Sequence, residues 1–418
     1  MDKLAATFSE QFPLIYQLVT TRLKYSLAAL AALFIALALT LYGQLILESE
    51  DLFTKAGPII GGDFIVFHHA AKAAGAPEMT AIYEMSTLKA ELEAAYPGKG
   101  DFNFAWMYPP TMSLIISPFA APPYLLSFTL WVAIFAGAFF FTMTRMWSDK
   151  WALLFAATSP AVFQGVITGQ NGFFTATLMT LAGAFASRRP ILAGVAAGLL
   201  TVKPQLGLLI PVAFLAAGCW RAFAAAAVTA LLLAAASLVA YGADSWIGFF
   251  QAITAHGARM ADAGFPFNKL VTPFGLVTML GASAKFAGAV QIFASLGLAA
   301  YVFIIWRRVE DWDLRLAALA TSAMLATPYS FYYELVIMVP AMVLIAKRGV
   351  ETGWLPYEKL TLIAVWILPL MMPGETGIPN LPISAAGSFL AFLIAARRTL
   401  PAADLRFASA IRPAQSGL

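Results

Sequence analysis

Charge is scarce in this chain. Asp, Glu, Lys and Arg make up only 11% of its 418 residues, while hydrophobic types make up 61%. Soluble domains carry about 25% charged residues. A chain this poor in charge cannot cover a surface against water, so a soluble enzyme is excluded and a polytopic membrane protein is expected. Cysteine is nearly absent. The single Cys219 excludes an internal disulfide and a thiolate metal cluster, and in its apolar run it reads as a small core residue. Walker A, GxGxxG, HExxH and CxxC patterns are all missing. Nucleotide-driven pumps, dinucleotide enzymes and zinc proteases are therefore disfavoured. No long basic tract is interleaved with aromatics, which argues against a nucleic-acid partner. No metal or cofactor constellation is visible.

The remaining composition is aromatic and apolar. Aromatics reach 13%, as belts at the membrane interfaces require. Lys3, Arg22 and Lys24 precede the first long apolar stretch, and no A-x-A-like cleavage site follows it. This pattern predicts an uncleaved first span from about Tyr25 to Ile46, with the N-terminus inside. Residues 48–105 form the longest polar stretch and are expected outside. Two short surface helices are predicted there, one after Asp63 and one over about Ser86–Ala95. Tyr108-Pro109-Pro110 opens a second span that Pro122-Pro123 closes. A third covers about Tyr124–Trp147. The stretch 151–168 contains Pro160 and reads as a re-entrant or interfacial helix. On that reading Arg188-Arg189, Arg221, Arg307-Arg308, Lys347-Arg348 and Arg397-Arg398 all fall inside. Nine further spans follow, at about 171–187, 190–204, 206–219, 222–241, 285–306, 314–329, 332–346, 359–372 and 381–396. The expectation is an all-α bundle of about 12 transmembrane helices. It forms one membrane domain over 1–399, with a second outer loop at 242–284 and a poorly ordered cytoplasmic tail over 400–418.

Several polar residues interrupt the apolar pattern. Asp63 follows two glycines just beyond the first span. A carboxylate there can take a proton from an attacking hydroxyl, although Asp is also a common helix N-cap. His68 and His69 are adjacent, so on a helix they diverge by about 100° and cannot chelate one metal together. His68 and Lys72 share a helix face that suits a phosphate, or simply solvent. Lys203-Pro204 breaks an apolar run at the outer mouth of the bundle. An ammonium there is either a phosphate ligand or a snorkelling anchor. Arg259 or Lys269, in the second outer loop with His256, could clamp a phosphate. Gln170 and Asn171 can bind sugar hydroxyls, or only shape a turn. Tyr332, Tyr333 and Glu334 sit at another outer turn. They suit sugar stacking and a second acid, or equally an interfacial belt and a helix-dipole partner.

Five segments in this order resemble glycosyltransferase family 87. They are Gly61–Gly75 with Ala81–Glu84, Phe104–Pro118, Ser159–Leu178, Arg188–Pro211 and Ala326–Ala341. The likeness spans about residues 60–345. That family comprises polytopic GT-C enzymes and includes mycobacterial mannosyltransferases that build phosphatidylinositol mannosides. The resemblance implies a polyprenyl-phosphate-sugar donor, inverting transfer to a hydroxyl of a lipid or glycan acceptor, and a catalytic Asp that maps to Asp63. It also maps the family's Tyr-Pro-Pro, Gly-Gln-Asn and Lys-Pro segments onto Tyr108–Pro110, Gly169–Asn171 and Lys203–Pro204. Some relatives carry histidines where this chain has Tyr332-Tyr333, which bears on the choice of acceptor and sugar. The implied setting is a bacterial plasma membrane with the site on its periplasmic side. Rival classes are a secondary transporter, for which no internal repeat is seen, and a non-catalytic scaffold or flippase.

Overall fold

Apolar stretches with proline and glycine inside them fold as broken helices, and such breaks set the architecture of this protein. A computed structural model describes residues 10, 13, 23–55, 57–74, 77–99, 102–260, 265–371 and 383–411. Lys3, Arg22 and the end of the tail, named above, lie outside the described residues. Among those described, regular structure is helical throughout, apart from three isolated β-bridges. The helices are α1 (Leu23–Leu47), α2 (Phe64–Ala73), α3 (Met85–Ala95), α4 (Pro110–Ile116), α5 (Tyr124–Met146) and α6 (Lys150–Ala157). Next come α7 (Pro160–Ile167), α8 (Gly172–Ala184), α9 (Pro190–Leu199), α10 (Pro204–Gly207), α11 (Ile210–Ala216) and α12 (Trp220–Arg259). The last are α13 (Pro273–Met279), α14 (Ala284–Arg308), α15 (Trp312–Leu325), α16 (Met338–Thr352), α17 (Glu358–Ile367) and α18 (Ile383–Ile411).

Four described helices are long and apolar enough to cross a bilayer unaided: the Ala28–Leu47 part of α1, α5, α12 and α14. About 12 spans were expected; the other stretches expected to cross are shorter helices, joined end to end at breaks such as Ser159-Pro160 and Lys203-Pro204. α18 continues to Ile411, into the stretch expected to be irregular.

The bundle has two chemically different ends. At one, Lys347 pairs with Asp313 at 2.6 Å, Arg348 with Asp311, and Arg398 with Glu358. At the other lie Asp63, Gln170 and Lys203. α15 runs between the two, from Trp312 to Leu325, and nearly all of its side chains are buried. These ends fix the path of two stretches that sequence alone assigned the other way round. Residues 151–168 were expected to dip in and return. In the structure they traverse the bundle. Asp149 and Trp147 line a cavity with Trp354 and Lys359 at the ion-paired end, whereas Thr168 packs against Gly62 at the Asp63 end. Residues 110–122 were expected to cross, and instead they return. Tyr108 and Tyr124 flank this stretch, and their hydroxyls bond to Gln170 and to the Ile60 carbonyl, both at the Asp63 end. The physical reason lies in length and proline. α4 has seven residues and is bracketed by Pro109-Pro110 and Pro122-Pro123, while α6 and α7 have eight each. At 1.5 Å per residue only the latter pair, laid end to end, approaches the ~30 Å of a hydrocarbon core. The two changes cancel, so the basic clusters keep their common side.

The core is built on α8 and α15. α8 is buried along nearly its whole length and packs against α5, α9 and the 3-10 turn Tyr332–Ile337. α9 lies closely on α12. A Cβ at Gly194 or Gly198, four residues apart, would fall 2.4 Å from the Ala222 carbonyl or Thr229. That is the small-residue spacing by which membrane helices bring their backbones together. α12 itself bends. Gly242 has φ 74 inside an otherwise helical run of 40 residues, and glycine tolerates that conformation without strain. The second outer loop, expected from Gly242 onward, is therefore helical as far as Arg259.

Candidate active site

Asp63 sits where an N-cap belongs, directly before α2, but its side chain makes no capping bond. The carboxylate turns to the loop between α7 and α8, where Gln170 Nε2 donates to Asp63 Oδ2 at 2.6 Å. Close contact between these two loops makes that reach possible. Gly169 has φ +58, and a Cβ there would lie 2.5 Å from Phe64 Cβ and 2.7 Å from the Gly61 carbonyl oxygen. Both the conformation and the space demand glycine. Gly169→Ala is therefore expected to destabilise the protein by more than about 1 kcal/mol and to displace Gln170. A thermal midpoint equal to wild type would contradict this packing.

A polar chain continues from Gln170. Tyr108 donates its hydroxyl to Gln170 Oε1 at 3.3 Å. Lys203 Nζ donates to Asn171 Oδ1 at 3.0 Å and to the Tyr108 hydroxyl at 3.4 Å. The same ammonium lies 2.7 Å from Glu334 Oε1, with side-chain exposures of 3% and 0% for the two partners. This is an ion pair by distance, although Oε1 lies off the line of a hydrogen bond. Glu334 Oε2 accepts from Ser330 Oγ at 2.9 Å. The rings of Tyr108 and Tyr333 each lie 5.4 Å from Lys203 Nζ, so aromatic faces complete the cation's surroundings. Tyr333 in turn stacks on Phe331 at 5.5 Å.

The loop carrying Lys269 joins from the side. Leu270 bridges to Phe331, and Val271 N–H donates to the Ser330 carbonyl at 3.0 Å. Burial pushes the Asp63 carboxyl above its ordinary value of 3.8, opposed by the Gln170 bond and by the fields of Lys269 and Lys203. Asp63 as a residue is half-buried. Among the described residues no group of three or more His, Cys, Asp or Glu is placed to hold a metal ion.

The structure thus brings together Asp63, Tyr108, Gln170, Asn171, Lys203, Tyr333 and Glu334, with Lys269 within electrostatic range. Tyr332 lies beside Tyr333, with ring centroids 5.7 Å apart. Other expected site residues are elsewhere. His68 is buried, with its ring edge-on to Tyr124 at 5.3 Å and Nε2 3.4 Å from the Pro122 carbonyl. Lys72, on the same helix, is exposed, so the two make no joint phosphate face. Burial and the nearby Lys72 also push the His68 imidazole below its usual range. His69 pairs with Glu91 at 2.7 Å. Arg259 is exposed and contacts the Met85 sulfur, beside a different cavity. Gln170, expected to meet sugar hydroxyls, spends its amide on Asp63 and Tyr108; Asn171, expected to do the same, gives its Oδ1 to Lys203, while its buried Nδ2 has no hydrogen-bond partner among the described residues. Ser330 and Tyr83 were missed. Ser330 is four residues before Glu334, a spacing that hints at contact. Tyr83, which donates to the Tyr108 carbonyl at 3.1 Å, lay within the Ala81–Glu84 segment, but nothing there marked it as a site residue.

Comparison with known proteins bears on this site directly. Residues 106–328 match the profile of glycosyltransferase family 87. No curated protein and no solved structure matches the chain. The matched stretch holds Tyr108, Gln170, Asn171 and Lys203. Asp63 and Glu334 lie outside it and are joined to it by the hydrogen bond and ion pair described above. With over half of its length matched in this way, the chain belongs to glycosyltransferase family 87.

Proposed function

We propose that this glycosyltransferase moves a hexose, mannose being the first candidate, from a polyprenyl-phosphate donor to a hydroxyl of a lipid or glycan acceptor, with inversion at the sugar carbon. The observation that carries the reading is the Asp63 carboxylate. One oxygen is held by Gln170, the residue is half-buried, and two lysines lie nearby. In this scheme Asp63 accepts the proton of the attacking hydroxyl. The new bond forms between that oxygen and the anomeric carbon. The old bond to the phosphate oxygen breaks on the opposite face, and its electron pair leaves with the polyprenyl phosphate. Lys269 is the nearer candidate to meet that phosphate, because no described carboxylate pairs with it. Lys203 is tied to Glu334 and acts through its field, or after loosening from that partner.

The side of the membrane follows the same reasoning. Arginine and lysine clusters gather at the end of the bundle opposite Asp63, and such clusters favour the cytoplasm. That supports a site on the outer face of a bacterial plasma membrane.

The test is transfer of radiolabelled hexose in proteoliposomes, from polyprenyl phosphate and, separately, from a nucleotide. Product from the lipid-linked donor alone, with inverted configuration, is the expected result. Product from the nucleotide donor alone would sink the reading. The pH profile offers a second check. A base must be ionised, and burial raises the Asp63 carboxyl, so the acid limb of kcat/KM should lie above the ordinary carboxylate range. Gln170→Leu removes a bond that holds this pKa down, so it should move the limb to still higher pH. A limb that stays in place would show that Asp63 does not govern it.

A further inference from the structure

A second cavity, of about 790 Å³, opens beside the Asp63 chain. It lies between the outer arm of α12, beyond the Gly242 bend, and the segments around Tyr83 and Trp106. Its size falls within the usual range for small-ligand sites. It touches the active-site chain at two points. Tyr83, in its wall, donates to the Tyr108 carbonyl at 3.1 Å, and the Trp106 ring centroid lies 4.9 Å from that of Tyr108. On the far wall His256 sits edge-on to Tyr329, also at 4.9 Å.

The chemistry of the lining narrows the occupant. Tyr83 and Trp106, themselves largely buried, form its aromatic wall, and Glu84, Asp244 and Gln251 are exposed polar groups. His256 lines the same cavity, and both its ring nitrogens are buried with no hydrogen-bond partner among the described residues. Two carboxylates face a single guanidinium, Arg259, which already lies against Met85. An excess of negative charge disfavours a phosphate, while carboxylates and amides beside aromatic faces suit the hydroxyls and C–H faces of a sugar. We propose that this cavity binds a neutral sugar ring. On the transferase reading above, on which this role rests, that ring belongs to the acceptor, and the donor phosphate approaches from the Lys269 side. Arg259 is then a wall of the sugar site rather than a phosphate clamp.

Saturation-transfer NMR on the full chain in nanodiscs tests this, with methyl α-mannoside as the probe. Wild type should transfer saturation to the sugar protons. Gln251→Leu and Asp244→Asn, both at exposed positions, should cut that signal at least fivefold, while Asp63→Asn should keep it. The proposal is overturned if wild type gives no saturable signal, or if both cavity variants match it. It is equally overturned if inorganic phosphate or farnesyl phosphate displaces the sugar and Arg259→Gln abolishes that displacement. Transfer from the lipid donor is measured independently. A lost sugar signal with transfer intact removes only the cavity assignment, whereas a retained signal without transfer removes only the transferase scheme.

Discussion

Asp63→Asn is expected to lower kcat for sugar transfer by about 10²–10⁴-fold, the usual contribution of a general base. The substitution keeps the shape of the side chain, and its Oδ1 can still accept from Gln170 Nε2. A loss of activity would then report the missing base rather than a collapsed loop. Stability supplies the control, and its sign follows from linkage. Burial raises the carboxyl in the folded protein, so folding favours the protonated acid. The stability this confers is present below the unfolded carboxyl pKa and is lost as pH rises through the folded value. At neutral pH an ionised Asp63 is therefore a burden on the fold, which the neutral amide removes. The variant should show a thermal midpoint equal to or above wild type, the pattern expected where activity is kept at the expense of stability. Wild-type rates in the variant would remove Asp63 as the base. A marked fall in the midpoint would mean that the residue supports the loop instead.

Lys203→Met should have the largest effect on stability. It leaves Glu334 buried with Ser330 Oγ as its one remaining hydrogen-bond partner among the described residues, and breaking a buried pair from one side costs about 3–5 kcal/mol. Replacing both partners, as in Lys203→Met with Glu334→Leu, should recover most of that loss, because a buried ion pair contributes little net stability over apolar packing. Unfolding in nanodiscs measures both variants. If Lys203→Met is as stable as wild type, the ammonium cannot be confined as described. If the double variant folds but transfers no sugar, the pair is retained for its role in the reaction.

Much of the fold could be read from the sequence, because apolar runs and charge scarcity are properties of single segments. α1, α5 and α14 fall close to the spans expected from hydropathy, and α3 close to its predicted range. The route of the chain was harder to read. Residues 110–122 and 150–167 have similar composition and both carry proline, and only contacts distant in sequence show which returns and which crosses. The site was legible as a set of residue types but not as a set of partners. Asp63 was singled out by its position. The bond from Gln170, more than a hundred residues later, lies beyond local pattern, as does the ion pair of Lys203 with Glu334. Gln170 was taken for a ligand contact because an amide at a turn carries no mark of what it faces. His68 misled for the opposite reason. Its helical spacing to Lys72 was correct, but the burial that separates the two depends on Tyr124 and Pro122.

The Lys203–Glu334 pair also has a consequence for how the protein is made. Translation proceeds at about 5–20 residues per second, so Lys203 emerges roughly 7–26 seconds before its counter-ion exists. Throughout that interval the nascent chain carries a cation with no place to settle in lipid. Its segment must wait in water or in the insertion machinery until the Ser330–Glu334 turn arrives. Closure of the Asp63 end of the bundle is thus a late event in biogenesis.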